Sequence, residues 1–143
     1  PRQMANFAAT IANRGYYKIP HVVKRIHDRD SIDGRFYEKH YTKVDSKHFD
    51  PIVEGMYRAV NVDGGSARMA RIEGIDICGK TGTAQTGQFT PDGTERKNLW
   101  FAGFYPAQQP RYTIVVLQDG QVSTEHSSAA IFARLCAMLD LLA

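Results

Sequence analysis

The chain has 143 residues, 43% of them hydrophobic and 23% charged, a composition that suits one globular unit with a core and excludes a disordered tail. Its 18 Lys and Arg against 15 Asp and Glu leave a mild net charge of +3, and two cysteines are too few for a disulfide scaffold. No apolar run approaches the ~20 residues of a membrane span and no signal peptide is visible, so an anchor is expected only outside this sequence.

The first predicted element is a helix from about Arg2 to Asn13, with Met4, Phe7, Ala8 and Ile11 on one face and Gly15 as its left-handed C-terminal residue. Ile19–Ile26 reads as extended. The basic residues concentrate between Arg14 and Lys47, interleaved with Asp28, Asp30, Asp33, Glu38 and Asp45, which is the pattern of a solvated, charge-mixed surface. Tyr16, Tyr17, Phe36, Tyr37 and Tyr41 lie among them, and aromatics between cations can stack on bases. No recognised module accompanies them, so no nucleic-acid partner is expected. Asp50 followed by Pro51 starts a second helix, whose apolar stripe is Ile52, Val53, Met56, Tyr57 and Val60; Met56 and Tyr57 are assigned to core packing.

The segment Gly74–Gln85 satisfies two incompatible motifs. From Gly74 it is G-x-x-x-x-G-K-T, a formal nucleotide-binding P-loop, which requires a buried strand before it and a helix starting at the Lys-Thr. The residues before Gly74 are too charged for a central strand, Ile75 to Cys78 alternate like a strand, and Gly82 and Gly87 discourage helix. The same letters read better as one extended strand in which Ile75 and Ile77 face a core and Lys80 to Gln85 passes an open site. Gly82 is then a side-chain-free position that a ligand backbone can approach.

After an expected loop from Thr86 to Asn98, two more strands follow, Leu99–Pro106 and Tyr112–Asp119, with Pro106 and Pro110 marking the turn between them. Ser127 or Ser128 caps a last helix with Ile131, Phe132, Leu135, Met138, Leu139 and Leu142 on its apolar face. The order strand, strand, strand, helix implies an α+β class, an antiparallel sheet with helices laid against it. Cys78 and Cys136 are expected to be buried, unpaired thiols, a bridge requiring that strand and helix touch. His21, His27, His40, His48 and His126 lack metal-site spacing, so no metal is expected, and His126 is read as a hydrogen-bonding residue beside the last helix cap.

With Lys80-Thr81-Gly82-Thr83-Ala84-Gln85 on the first strand of that order and Trp100-Phe101-Ala102-Gly103-Phe104-Tyr105-Pro106 on the second, the chain resembles the end of the transpeptidase domain of class B penicillin-binding proteins. Lys80-Thr81-Gly82 is similar to the third signature of the serine acyltransferases that penicillin inhibits. Pro1 to Gly15 resembles the helix preceding that signature. Val53 to Asn61 is most similar to the penicillin-binding protein 2 branch, the elongation enzymes, although sequence leaves open whether the intact enzyme serves elongation or division. The resemblance runs nearly end to end and is weakest over His27 to Lys47.

The resemblance implies a reaction in which a serine attacks the penultimate D-Ala carbonyl of a peptidoglycan stem peptide, releases the last D-Ala, and passes the acyl group to an amine on a second stem. β-Lactams imitate the D-Ala-D-Ala end and leave a stalled acyl-serine. It further implies that Lys80 supplies positive charge beside the nucleophile and the substrate carboxylate, that the hydroxyls of Thr81 and Thr83 bind that carboxylate, that Gly82 keeps the strand open, and that the Thr83 amide is one oxyanion donor. No cofactor is implied, and the location is the extracytoplasmic face of the bacterial inner membrane, where a disulfide is chemically permitted. The family also needs a Ser-x-x-Lys and a Ser-x-Asn, and neither pattern occurs among Ser31, Ser46, Ser66, Ser123, Ser127 and Ser128. Residues 1–143 are therefore expected to be the C-terminal segment of one transpeptidase domain, inert without the N-terminal part that carries those motifs. A β-lactamase or β-lactam sensor of the same fold is the alternative, and in the segment alone the strand Tyr112 to Asp119 is expected to self-associate along a bare edge.

Overall fold

The computed structural model describes residues 1–27, 32–123 and 127–141. The readings at Asp28, Asp30, Ser31, His126 and Leu142 lie outside these residues. Helix α1 (Arg2–Ala12) leads into strand β1 (Tyr16–Tyr17), which pairs antiparallel with β2 (His40–Tyr41). Helix α2 (Asp50–Asn61) precedes a three-stranded antiparallel sheet of β3 (Cys78–Phe89), β4 (Glu95–Tyr105) and β5 (Tyr112–Gln121) in that order, and helix α3 (Ser128–Asp140) closes the fold. This is the α+β arrangement expected from the sequence.

Period-2 alternation along β4 divides the core into two layers. Phe101 and Tyr105 join Val116 of β5 against Phe132 and Cys136 of α3. Phe104 points the other way and joins Cys78 against Ile11, Ala12, Val53 and Met56 of α1 and α2. The Phe101 and Phe132 rings pack at 4.5 Å between centroids. Room for them comes from Gly79 and Gly103, which are direct cross-strand partners. A Cβ on Gly79 would stand 2.2 Å from Phe101 Cζ, and one on Gly103 would stand 2.5 Å from the Cys78 carbonyl oxygen.

Several elements depart from the sequence expectation. Gly15 does take a positive φ, 113°, after α1, but Arg14 precedes it in the left-handed region at φ 58°, and the Arg14 and Gly15 amides bond back to the carbonyls of Ile11 and Thr10 at 3.0 and 2.9 Å. Arg14 holds that conformation through its guanidinium, whose Nη1 donates to the Ala12 carbonyl and whose Nε donates to Asp50 Oδ1, each at 3.0 Å. Residues 19–26 form no named strand; Pro20 offers no amide, and Val22 is 91% exposed. Ile75 and Ile77 do pack on the core, with Ile77 fully buried, but both precede β3, which begins at Cys78.

The expected loop from Thr86 to Asn98 shrinks to residues 90–94, because β3 and β4 continue as a two-stranded arm. Side chains replace missing ladder bonds there: Gln85 Nε2 donates to Glu95 Oε2 at 2.8 Å and Thr86 Oγ1 to the Arg96 carbonyl at 2.6 Å. On α3 the buried line is Ala129, Phe132 and Cys136, whereas Leu135 and Met138 are exposed. Leucine and methionine at helical spacing suggested a wider apolar stripe than the sheet covers.

Cys78 and Cys136 are both buried and neither forms a disulfide. Burial pushes the Cys78 thiol up from 9.0 to about 12, and Sγ donates to the Val53 carbonyl at 3.7 Å. A folded-state pKa above the unfolded one favours folding fully below the unfolded value and loses that contribution as pH rises through the folded value. Urea-unfolding free energy is therefore expected to fall more steeply between pH 9.0 and about 12 in the parent protein than in Cys78→Ala. Equal slopes would show that the thiolate is no worse housed in the fold than out of it.

Candidate active-site strand

Lys80, Thr81, Gly82 and Thr83 lie well inside β3, with extended backbone on both sides. A P-loop would need a helix beginning at Lys80, so the nucleotide-binding reading fails on geometry. Strand β3 is an outer strand whose one neighbour is β4, and the register sets Lys80 opposite Ala102, Thr81 opposite Phe101, Gly82 opposite Trp100 and Thr83 opposite Leu99. Alternation then sends Lys80 and Gly82 to the α1–α2 face, while Thr81 and Thr83 share a face with Phe101 and Leu99. Lys80, Gly82 and Thr83 are exposed and Thr81 is half-buried; Lys80 Nζ donates to the Thr81 carbonyl at 2.8 Å.

On the first face lies an apolar groove of about 640 Å³, where Met4 and Phe7 of α1 and Ile52 of α2 confront Lys80, Gly82 and Trp100. The sequence placed Met4, Phe7 and Ile52 in core-facing stripes, yet they are 39%, 58% and 47% exposed. An amphipathic pattern is identical for a filled core and for an open groove, so no signal in one sequence separates the two. On the second face a small cavity of about 100 Å³ joins Thr81, Gly82 and Thr83 to Leu99, Ser127 and Ser128. Of these, Ser128 was read only as a helix cap; the capping side chain is Ser127, which accepts from the Ala130 amide at 3.2 Å.

The glycines of β3 serve different ends. Gly79 is required by the protein's own packing, as shown by the Phe101 ring. At Gly82 an added Cβ would meet nothing nearer than Trp100 Cβ at 3.4 Å, an ordinary contact. The bare backbone at Gly82 is thus turned toward open space, with the Lys80 ammonium on one face of the strand and the Thr81 and Thr83 hydroxyls on the other. Among the described residues no group of His, Cys, Asp or Glu is placed to hold a metal ion. Of the aromatic residues of the basic region, Tyr16 packs against Tyr41 at 5.9 Å and against Lys39 Nζ at 4.3 Å from its ring centre.

Residues 1–137 match the profile of the penicillin binding protein transpeptidase domain. The chain belongs to that family. It is 32% identical to penicillin-binding protein H of Bacillus subtilis over 82% of its length, and 32% identical to the peptidoglycan D,D-transpeptidase PbpA of Mycolicibacterium smegmatis over 84%. The solved structure of Pseudomonas aeruginosa penicillin-binding protein 2 in complex with WCK 5153 superposes with a TM-score of 0.72 at 27% identity, covering 99% of this chain. The chain spans 18% and 24% of those two curated relatives and 30% of that structure. Family membership, α+β architecture and likeness to the penicillin-binding protein 2 type thus agree with the sequence.

Within this chain the two glycines give a direct test. Gly79→Ala is expected to lose about 1–3 kcal/mol of stability by overpacking the Phe101 ring, whereas Gly82→Ala is expected to stay within about 0.5 kcal/mol of the parent, both measured by urea unfolding. A comparable loss in both would mean that Gly82 is structural.

Proposed function

We propose that this segment supplies the substrate-binding strand of a serine-type peptidoglycan D,D-transpeptidase, and that the nucleophile comes from a Ser-x-x-Lys in an N-terminal part outside residues 1–143. The observation that carries the reading is the edge strand Lys80–Thr83, open at Gly82, in a chain of the penicillin-binding protein family. Lys80 places positive charge beside the nucleophile and the stem-peptide carboxylate, Thr81 and Thr83 hydrogen-bond that carboxylate, and the Thr83 amide receives charge developing on the attacked carbonyl oxygen. The catalytic assignments are Lys80 and Thr83. The serine oxygen bonds to the D-Ala carbonyl carbon, the terminal D-Ala leaves with a proton, and an amine of a second stem then displaces the serine.

The apolar groove beside Lys80 supports the incompleteness of the segment, since a lining of Met4, Phe7, Ile52 and Trp100 is suited to contact with further protein. β-Lactams enter as mimics of the D-Ala-D-Ala terminus, in keeping with the names of the relatives. The site would work on the outer face of the cytoplasmic membrane; no helix among the described residues is long and apolar enough to cross a membrane. A β-lactamase or sensor of the same fold shares the Lys-Thr-Gly strand and is separated from a transpeptidase by release of D-Ala coupled to acceptor addition.

In the full-length protein a labelled penicillin is expected to acylate a serine upstream of Pro1, with Lys80→Ala slowing that acylation about a hundredfold. Labelling of residues 1–143 alone, or an indifferent Lys80→Ala, would remove the proposal. Strand β5 is the other outer strand, and its bare edge in the isolated segment is expected to pair with a second copy along Tyr112 to Asp119. Sedimentation of the segment should show concentration-dependent dimers that Val115→Pro abolishes; a monomer at high concentration would count against that pairing.

A further inference from the structure

Among the described residues Ser128 is the one polar side chain in the buried class, at 3% exposed. It begins α3, yet Ser127 does the capping, which leaves the Ser128 hydroxyl directed at the sheet. Its Oγ donates to the Leu99 carbonyl at 2.8 Å and lies 2.8 Å from Gln118 Oε1, bridging register partners on β4 and β5. This bridge sits where the β4–β5 register is irregular, between Lys97 and Leu99. Around it, side chains stand in for ladder bonds: Asn98 Oδ1 accepts from the Gly120 amide at 2.9 Å and Arg96 Nη1 donates to the Gly120 carbonyl at 3.0 Å.

On its other side Leu99 is the cross-strand partner of Thr83. Leu99 and Thr83 lie in the unbroken part of the β3–β4 register, so a displacement of β4 at Leu99 displaces the strand that carries Thr83. The cavity of about 100 Å³ that joins Ser127 and Ser128 to Thr81, Gly82 and Thr83 puts α3's first residues alongside the site strand. We propose that Ser128 is a positioning residue that anchors β4 at the Leu99 carbonyl, and through the β3–β4 register sets the place of the Thr83 amide, the oxyanion donor. The inference rests on the acyl-transfer reading above. It differs from a packing role because an oxyanion donor acts on the chemical step and not on ground-state binding.

The test uses the full-length protein and a fluorescent penicillin, with stopped-flow kinetics separating the non-covalent dissociation constant from the acylation rate constant. Ser128→Ala is expected to lower the acylation rate constant about tenfold with the dissociation constant unchanged, since small misplacements of catalytic groups are costly. Ser128→Cys keeps a donor, weaker and on a larger atom, and is expected to fall between parent and Ser128→Ala. Should Ser128→Ala not fold, Ser128→Cys decides alone. Parent-like acylation in the variants, whatever their melting temperature, overturns the proposal, and so does an equal change in both constants. A parent protein that penicillin fails to label removes the acyl-transfer reading and this inference together, whereas a labelled parent with indifferent variants removes this inference only.

Discussion

One aromatic ring in a slot without side chains holds the fold together. Phe101 lies over the Gly79–Gly103 pair and under Phe132, so the α3 face of the sheet closes only when those two glycines stand opposite each other. A slip of one residue would bring a Cβ into the ring and would turn every side chain of β3 to the opposite face. Lys80 would then leave the groove. The steric demand of a hydrophobic contact thus fixes which way a polar site strand faces, and both layers of the core inherit their register from it.

What the sequence revealed follows from period. Residues 99–105 and 112–119 run apolar as strands can, the alternation of Ile75 to Cys78 leads into β3, and α2 begins at Asp50-Pro51 as the proline suggested. The strand at Lys80 could be told from a P-loop because glycines stood where a helix would have to be. Other features depend on partners that lie far away in the chain. Whether Met4, Phe7 and Ile52 are core or groove is decided by what covers them; whether Leu135 and Met138 are buried is decided by the width of a three-stranded sheet. The strand extension through Thr86 to Phe89 rests on Gln85–Glu95 and Thr86–Arg96 bonds that no local propensity encodes.

Those same bonds matter to an edge strand. Beyond Gln85 the β3–β4 register shifts, and a long exposed arm with an irregular ladder would fray toward the site. Glu95 grips Gln85 and approaches the Gly87 amide at 3.4 Å, and Arg96 reaches across to β5 at Gly120. All three strands are therefore laced together just past Thr83. The polar residues that make the arm soluble also hold its base still.

The end of α1 shows a trade of a different kind. A non-glycine residue at φ 58° carries a conformational penalty of about 1 kcal/mol that glycine would avoid. Glycine, however, could not reach Asp50 at the start of α2. The guanidinium works as a strut between the two helices that wall the groove, an exposed tie added to the buried contact of Ile11 and Ala12 with Val53 and Met56. Loosening that strut, by high ionic strength or by neutralising Asp50, would leave the two walls joined by their apolar contact alone.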